Sequence, residues 1–317
     1  MKTPLPTRLV LPLLLLLFLP LLLRPVAAPA APGDPAAPAP TADWTRRYAD
    51  LGDWIVTNLA TAPFPHPARA AGRQYQKEFF SAAEHYEDNT VAIFIPRGFK
   101  PAGRVDYLIH FHGWRNHVEQ VFARYHLAEQ TAASGRNVVL VVPQGPRDAA
   151  DSFGGKLEDA GGFTRFMTDV SAALRSRPAF RDLDASPGRI ILSGHSGGYQ
   201  VIGSILDHGG LTDRVAEVWL FDALYARTSQ FLAWHDRTHG RLIDLYTDHG
   251  GTVVETKALM TRLKERGTPF LAAEEADLKP GELTTNRLLF LHTKLEHDEV
   301  LQTHELFRQF LATALRP

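Results

Sequence analysis

The chain has 317 residues, 44% hydrophobic and 22% charged, a composition that suits an ordinary globular protein with one large domain or two small ones. Its formal net charge of -1 supplies no global field for capturing nucleic acid or an anionic membrane, so no nucleic-acid partner is expected. It has no cysteine, which excludes disulfides, thiolate metal sites, a cysteine nucleophile and a bacterial lipoprotein anchor.

Lys2 and Arg8 mark a short basic start, residues 9–23 are almost wholly apolar, and Val26-Ala27-Ala28-Pro29-Ala30 supplies small residues. This is the order of a secretory signal. The apolar run falls short of the ~20 residues of a spanning helix, and Pro12 and Pro20 interrupt it. A cleaved signal peptide over 1–28 is therefore expected, with a secreted or periplasmic mature chain that has no stable membrane span. Residues 29–42 are rich in Ala and Pro and are expected to form an extended linker. No second linker or internal repeat follows, so 43–317 is expected to be one domain.

Asp43 is a candidate cap for a helix carrying Trp44, Tyr48, Leu51, Ile55 and Leu59 on one face; Pro63, Pro65 and Pro67 then forbid helix. Apolar, often β-branched runs follow at 91–95, 105–111, 138–142, 189–192, 218–221, 242–246 and 288–291. Near-continuous runs of this kind suit strands covered on both faces. Helical patterns lie between them: Val118, Val121, Phe122 and Tyr125; Phe163, Phe166, Met167, Val170 and Leu174; Val201, Ile202, Ile205 and Leu206, closed by Gly209 and Gly210; Ala258, Leu259 and Leu263; and finally Leu301, Leu306 and Leu311. Alternating strand and helix predicts an α/β fold with a doubly wound, mostly parallel sheet flanked by helices. Sites in such sheets lie at the carboxyl ends of the strands.

One strand runs straight into Gly194-His195-Ser196-Gly197-Gly198, and a helical pattern begins at once. A turn this sharp strains the backbone of its middle residue and demands small residues two positions to either side. It also lifts the Ser196 hydroxyl clear of the sheet. The helix start behind it offers free N–H groups, so the Gly197 N–H is placed to donate to an oxyanion.

With this motif between strand and helix, the chain resembles the α/β-hydrolase superfamily over most of 91–317. The resemblance implies a serine hydrolase of the α/β-hydrolase fold, acting through a Ser-His-Asp triad and an acyl-enzyme on small-molecule or polymeric esters, less on amides, without cofactor or metal. It implies a second oxyanion donor after an earlier strand, where His112-Gly113-Trp114 stands, so the N–H of Trp114 or Gly113 is expected there. His110, His112 and His117 are expected to pack behind that loop. The superfamily order implies an acid and then a histidine after Ser196. His297, in a loop after the last strand, is preferred over His292 and His304. Asp222 ends the run 218–221, where a charged group tight against apolar residues needs a partner, and the segment from Phe221 to Tyr225 is similar to a serine-hydrolase pattern. Asp222 is preferred, with Asp248, in a Gly-rich turn, as the alternative acid.

The polar loop 143–162 follows a strand, carries Gly154-Gly155 and Gly161-Gly162 as possible hinges, and is expected to act as a lid or binding loop. Phe153, Trp114 and Tyr199 are expected around the mouth as substrate-binding aromatics, whereas Trp219, Phe221, Phe231 and Trp234 read as core. Two other readings remain open: an acyltransferase that uses the same triad, and a non-catalytic binding module of the cell envelope.

Overall fold

The computed structural model describes residues 43–315 apart from 102, 183, 185 and 280. The expected signal peptide and linker lie outside the described residues, which belong to one compact unit, Ala39–Pro317.

In chain order the strands are β1 (Gly52–Asn58), β2 (Arg73–Tyr75), β3 (Glu78–Phe80), β4 (Thr90–Pro96), β5 (Tyr107–Phe111), β6 (Val139–Pro143), β7 (Ile190–His195), β8 (Val215–Phe221), β9 (Arg241–Thr247), β10 (Leu271–Glu274) and β11 (Leu288–Thr293). The helices are α1 (Ala82–His85), α2 (Val118–Tyr125), α3 (Leu127–Ala133), α4 (Gly162–Arg175), α5 (Tyr199–Ser204), α6 (Thr228–Thr238), α7 (Thr252–Glu265), α8 (Glu282–Thr285) and α9 (Leu306–Thr313). The main sheet has the order β1-β4-β6-β5-β7-β8-β9-β11-β10, and β2 and β3 form a separate hairpin. From β6 to β10 all neighbours are parallel, while β4 runs antiparallel to both β1 and β6.

Strand periodicity divides the core. Ile109, Val139, Val141, Leu192, Val218 and Leu220 face one layer, with apolar residues of α4, α5, α6 and α7. Their neighbours Leu108, Leu140, Val142, Ile191, Trp219 and Phe221 face the other, with α2, α3, α8 and α9. Successive side chains alternate across a strand, so an apolar run without polar interruption needs cover on both sides, and the sheet has it.

The helix expected from Asp43 to Leu59 is not formed. A short 3-10 turn, Asp43–Tyr48, leads into edge strand β1. Trp54 and Ile55 are buried in opposite layers, a period of two that the spacing of Ile55 and Leu59 concealed. At Gly52 the strand passes so near β4 that a Cβ would lie 2.1 Å from the Ile95 carbonyl oxygen. The last helix is also shorter than its pattern, because His304 and Glu305 are left-handed and helix begins only at Leu306; Leu301 is nevertheless buried in the same layer.

Candidate active site

β7 ends at His195, in extended backbone, and the next residue, Ser196, has φ +50°. A left-handed residue other than glycine costs on the order of 1–3 kcal/mol and persists only where its surroundings impose it. Here they do. A Cβ on Gly194 would lie 3.1 Å from the Gly198 carbonyl carbon and 2.8 Å from Ile202 Cδ1, and one on Gly198 would lie 2.7 Å from the Phe111 carbonyl oxygen. Both flanking glycines are therefore required by close approach. The loop His112-Gly113-Trp114 presses on the serine: a Cβ on Gly113 would sit 2.6 Å from Ser196 Cβ and 3.2 Å from its Oγ.

Asp222, directly after β8, is also left-handed, with φ +43°. Its carboxylate is fully buried and accepts from His297 Nδ1 at 2.6 Å, Thr247 Oγ1 at 2.9 Å, the Thr247 N–H at 3.2 Å and the Thr252 hydroxyl. Burial pushes its pKa up, but the hydrogen bonds from His297, Thr252 and Thr247 outweigh burial and hold the carboxyl below its usual range. A carboxylate can only accept, so His297 carries its proton on Nδ1 and leaves Nε2 as the basic nitrogen. A Cβ on Gly250 would lie 2.3 Å from Asp222 Oδ2, so this Gly-rich turn closes over the acid.

The other candidates separate. Asp248 is 60% exposed and lies 3.1 Å from His292 Nε2; His292 Nδ1 also bonds Glu274 at 2.8 Å. His304 pairs with Glu275. Asp222 and His297 are thus brought together, and Asp248 and His292 form a second, outer pair. Among the described residues Ser196 makes no hydrogen bond to His297; its polar side-chain partner is Tyr225. Catalytic hydrogen bonds commonly tighten only when substrate is bound.

In the same loop, His112 is buried and accepts from the Gly145 N–H at 3.0 Å through Nε2, so its Nδ1–H donates to the Gly113 carbonyl at 2.8 Å. Asn116 Nδ2 donates to the Trp114 carbonyl at 2.9 Å. Both peptide planes of the loop are therefore held. His110 bonds Ser193 and His117 bonds Asp148, so each of these histidines has its own partner. Burial drives the His110 and His112 imidazoles below their usual pKa, which keeps both rings neutral.

Trp114 is partly exposed, donates to Ser152 Oγ at 2.7 Å and meets the Tyr75 ring edge-on at 5.1 Å. Tyr199 packs 5.8 Å from Tyr225. Phe153 lines a small cavity beside Gly197 and Gly198, with the Arg69 guanidinium 4.6 Å over its ring. The loop 143–162 is anchored by its acidic residues. Asp151 is buried and binds Arg69, Arg73 and Tyr86. Glu158 takes the Gly154 N–H, Gln200 and Ser204. Gly154, Gly155 and Gly162 lie where a Cβ would strike Val201, the Pro63 carbonyl and the Lys156 carbonyl, so these glycines serve close packing.

The sequence did not single out Tyr75, Thr247 or Thr252, and it gave His195 and Tyr225, each inside a recognised segment, no role of their own. Tyr225 had a local signal, three residues after an acid at a strand end; the threonines had none, because nothing in their own neighbourhood indicates which carboxylate they reach.

No family model matches the chain, and no curated protein does. Solved structures do match. FphF, a fluorophosphonate-binding serine hydrolase of Staphylococcus aureus, is 11% identical, with a TM-score of 0.50 over 83% of this chain and 99% of that one. The feruloyl esterase module from Clostridium thermocellum is 10% identical, with a TM-score of 0.49 over 83% and 88%. At such identities the likeness to FphF speaks for the fold, and the chain shares the α/β-hydrolase fold with it.

Proposed function

We propose that the protein is a serine hydrolase of carboxylic esters. The observation that carries this is the buried Asp222 carboxylate bonded to His297 Nδ1 at 2.6 Å, on a sheet whose neighbouring strand is followed at once by the left-handed Ser196 against Gly113. His297 Nε2 takes the Ser196 proton as Oγ attacks the carbonyl carbon, and Asp222 stabilises the imidazolium that forms. The Gly197 N–H opens a helix, where no earlier carbonyl is available to it. With the N–H of Trp114 or Gly113 it holds the tetrahedral oxyanion. His297 returns the proton to the leaving oxygen, and water then resolves the acyl-enzyme by the same steps.

A fluorophosphonate probe and a panel of esters of rising acyl length, with one peptide panel, test this. Labelling on Ser196, lost in Ser196→Ala together with hydrolysis, is the expected result; a folded wild type that neither labels nor hydrolyses any ester sinks it. Added alcohol or amine acceptors distinguish hydrolysis from acyl transfer. The proposal extends to location. The basic start, the apolar run 9–23 and the small residues at 26–30 support export with removal of the signal. Mass spectrometry of the mature protein should then find its N-terminus between residues 28 and 31, and an intact Met1 overturns export.

A further inference from the structure

His195 precedes the nucleophile and is almost wholly buried. It is the last residue of β7, in register with Phe221 of β8, and its ring meets that of Tyr125 of α2 edge-on at 5.3 Å. Its Nε2 lies 2.9 Å from the backbone carbonyl oxygen of His297. A carbonyl only accepts, so Nε2 carries the proton and Nδ1 has a lone pair, which meets the Tyr125 hydroxyl at 3.4 Å. The His195 ring also lies against the His297 ring, with centroids 4.7 Å apart and planes 34° apart. Three donors therefore run in series: Tyr125 to His195, His195 to the backbone of His297, and the His297 side chain to Asp222.

The loop that bears His297 is held at its two ends, where Leu295 packs on the core and bonds back to Thr293 and where Val300 and Leu301 are buried. Between them Glu296 and Glu299 bond each other, and Asp298 reaches Arg124 at 3.6 Å and the Tyr125 side chain. We infer that His195 is a positioning residue, which sets the His297 loop at a fixed height over the adjacent Ser196 through its hydrogen bond to the His297 carbonyl and its ring contact. One residue thereby couples the backbone of the nucleophile to that of the base. Burial, and after it the neighbouring His297, push the His195 imidazole down to about 4, so the ring is neutral and the assigned tautomer holds at neutral pH. The titratable and charged groups around it are His110, Tyr125, His297, Asp298 and Asp222.

This inference rests on the serine-hydrolase assignment, and its test separates the two. His195→Phe keeps a ring but removes the donor, and His195→Gln restores a donor without the ring. In the full chain, His195→Phe is expected to lower kcat and the rate of fluorophosphonate labelling about 10- to 100-fold, the scale of a misplaced catalytic group, with KM little changed. His195→Gln is expected to recover part of that loss. A second readout does not need turnover: the low-field Nδ1 proton resonance of His297, which reports its bond to Asp222, should shift or broaden in His195→Phe and move back in His195→Gln. Folded variants with wild-type labelling rate and an unmoved resonance overturn the positioning role. If wild type itself fails to label, the hydrolase assignment falls, and the resonance still decides the role of His195. If His195→Phe does not fold, His195→Leu, which also lacks the donor, carries the same comparison with His195→Gln, and an unperturbed resonance in His195→Leu overturns the inference.

Discussion

Ser196 and Asp222 stand at the carboxyl ends of neighbouring strands, both in left-handed backbone, and neither conformation can be read from residue type. Asp222 drew notice in the sequence because a charge against four apolar residues needs partners. The structure supplies them from Thr247, Thr252 and His297. Asp222→Asn should lower kcat on the order of 10⁴-fold, because an amide favours the wrong imidazole tautomer. Asp248→Asn disturbs an exposed pair with His292 and should change kcat less than about tenfold. Steady-state kinetics on the two variants check the assignment, and a crippled Asp248→Asn reverses it. A second buried carboxyl, Asp244, receives one hydrogen bond, from Thr256, and its Oδ1 has no partner. Burial, with the Asp222 charge adding to it and Thr256 opposing, pushes Asp244 up to about 7. The folded chain then keeps a proton that the unfolded chain releases near its ordinary pKa of about 4, so this residue lowers stability as pH rises from about 4 to about 7. Asp244→Asn should gain in Tm over wild type as pH is raised from about 5 to about 8. Thermal melts across that range test it, and a gap that narrows with pH contradicts it.

At the scale of elements, the loop 143–162 is tied to its surroundings at several points. Length and glycine content suggested a lid or binding loop; Gly154, Gly155 and Gly162 occupy sites with no room for a Cβ, and Asp151 and Glu158 are bonded. Asp151 ties the loop to the segment before β3 through Arg69 and Arg73. Ser152, the next residue, holds Trp114 beside Gly197. Asp151→Ala should cost about 2–3 kcal/mol, since two part-buried guanidinium groups lose their partner but keep some water. It should also raise KM, because the wall holding Trp114 loosens. Urea unfolding and Michaelis kinetics measure the two effects, and an unchanged midpoint refutes the anchor.

Across the whole molecule, the end of the sheet opposite Ser196 is closed by a buried ion pair. Arg241, at the start of β9, binds Glu217 of β8 and reaches the Leu283 carbonyl, Thr313 and the Phe310 carbonyl. Glu217 also accepts from Trp219 Nε1 and the Leu315 N–H. The pair thus pins the last helix to the sheet. Arg241→Met strands a buried carboxylate and should destabilise the fold by about 3–5 kcal/mol, with kcat below the melting transition unchanged. Denaturant titration beside kinetics separates stability from chemistry, and an unaltered midpoint argues against the clamp.

Most of the parallel strands were legible in the chain because each is a local, nearly continuous apolar run, and the elbow because its glycines lie close in sequence; the short β10, Leu271-Ala272-Ala273-Glu274, has no such run and was not foreseen. Edge strand β1 was misread as helix, since an edge strand has weaker alternation and its pairing with β4 lies outside its own residues. The choice of Asp222 over Asp248 as the partner of His297 belongs to tertiary structure. So do the threonines around Asp222, Tyr225 beside Ser196 and the contact of His195 with the base loop. His195 and His297 are 102 residues apart, and Asp222 and His297 75 apart. Strand order decides which strand ends meet at the carboxyl end of a sheet, and that order is set by pairings between segments distant in sequence.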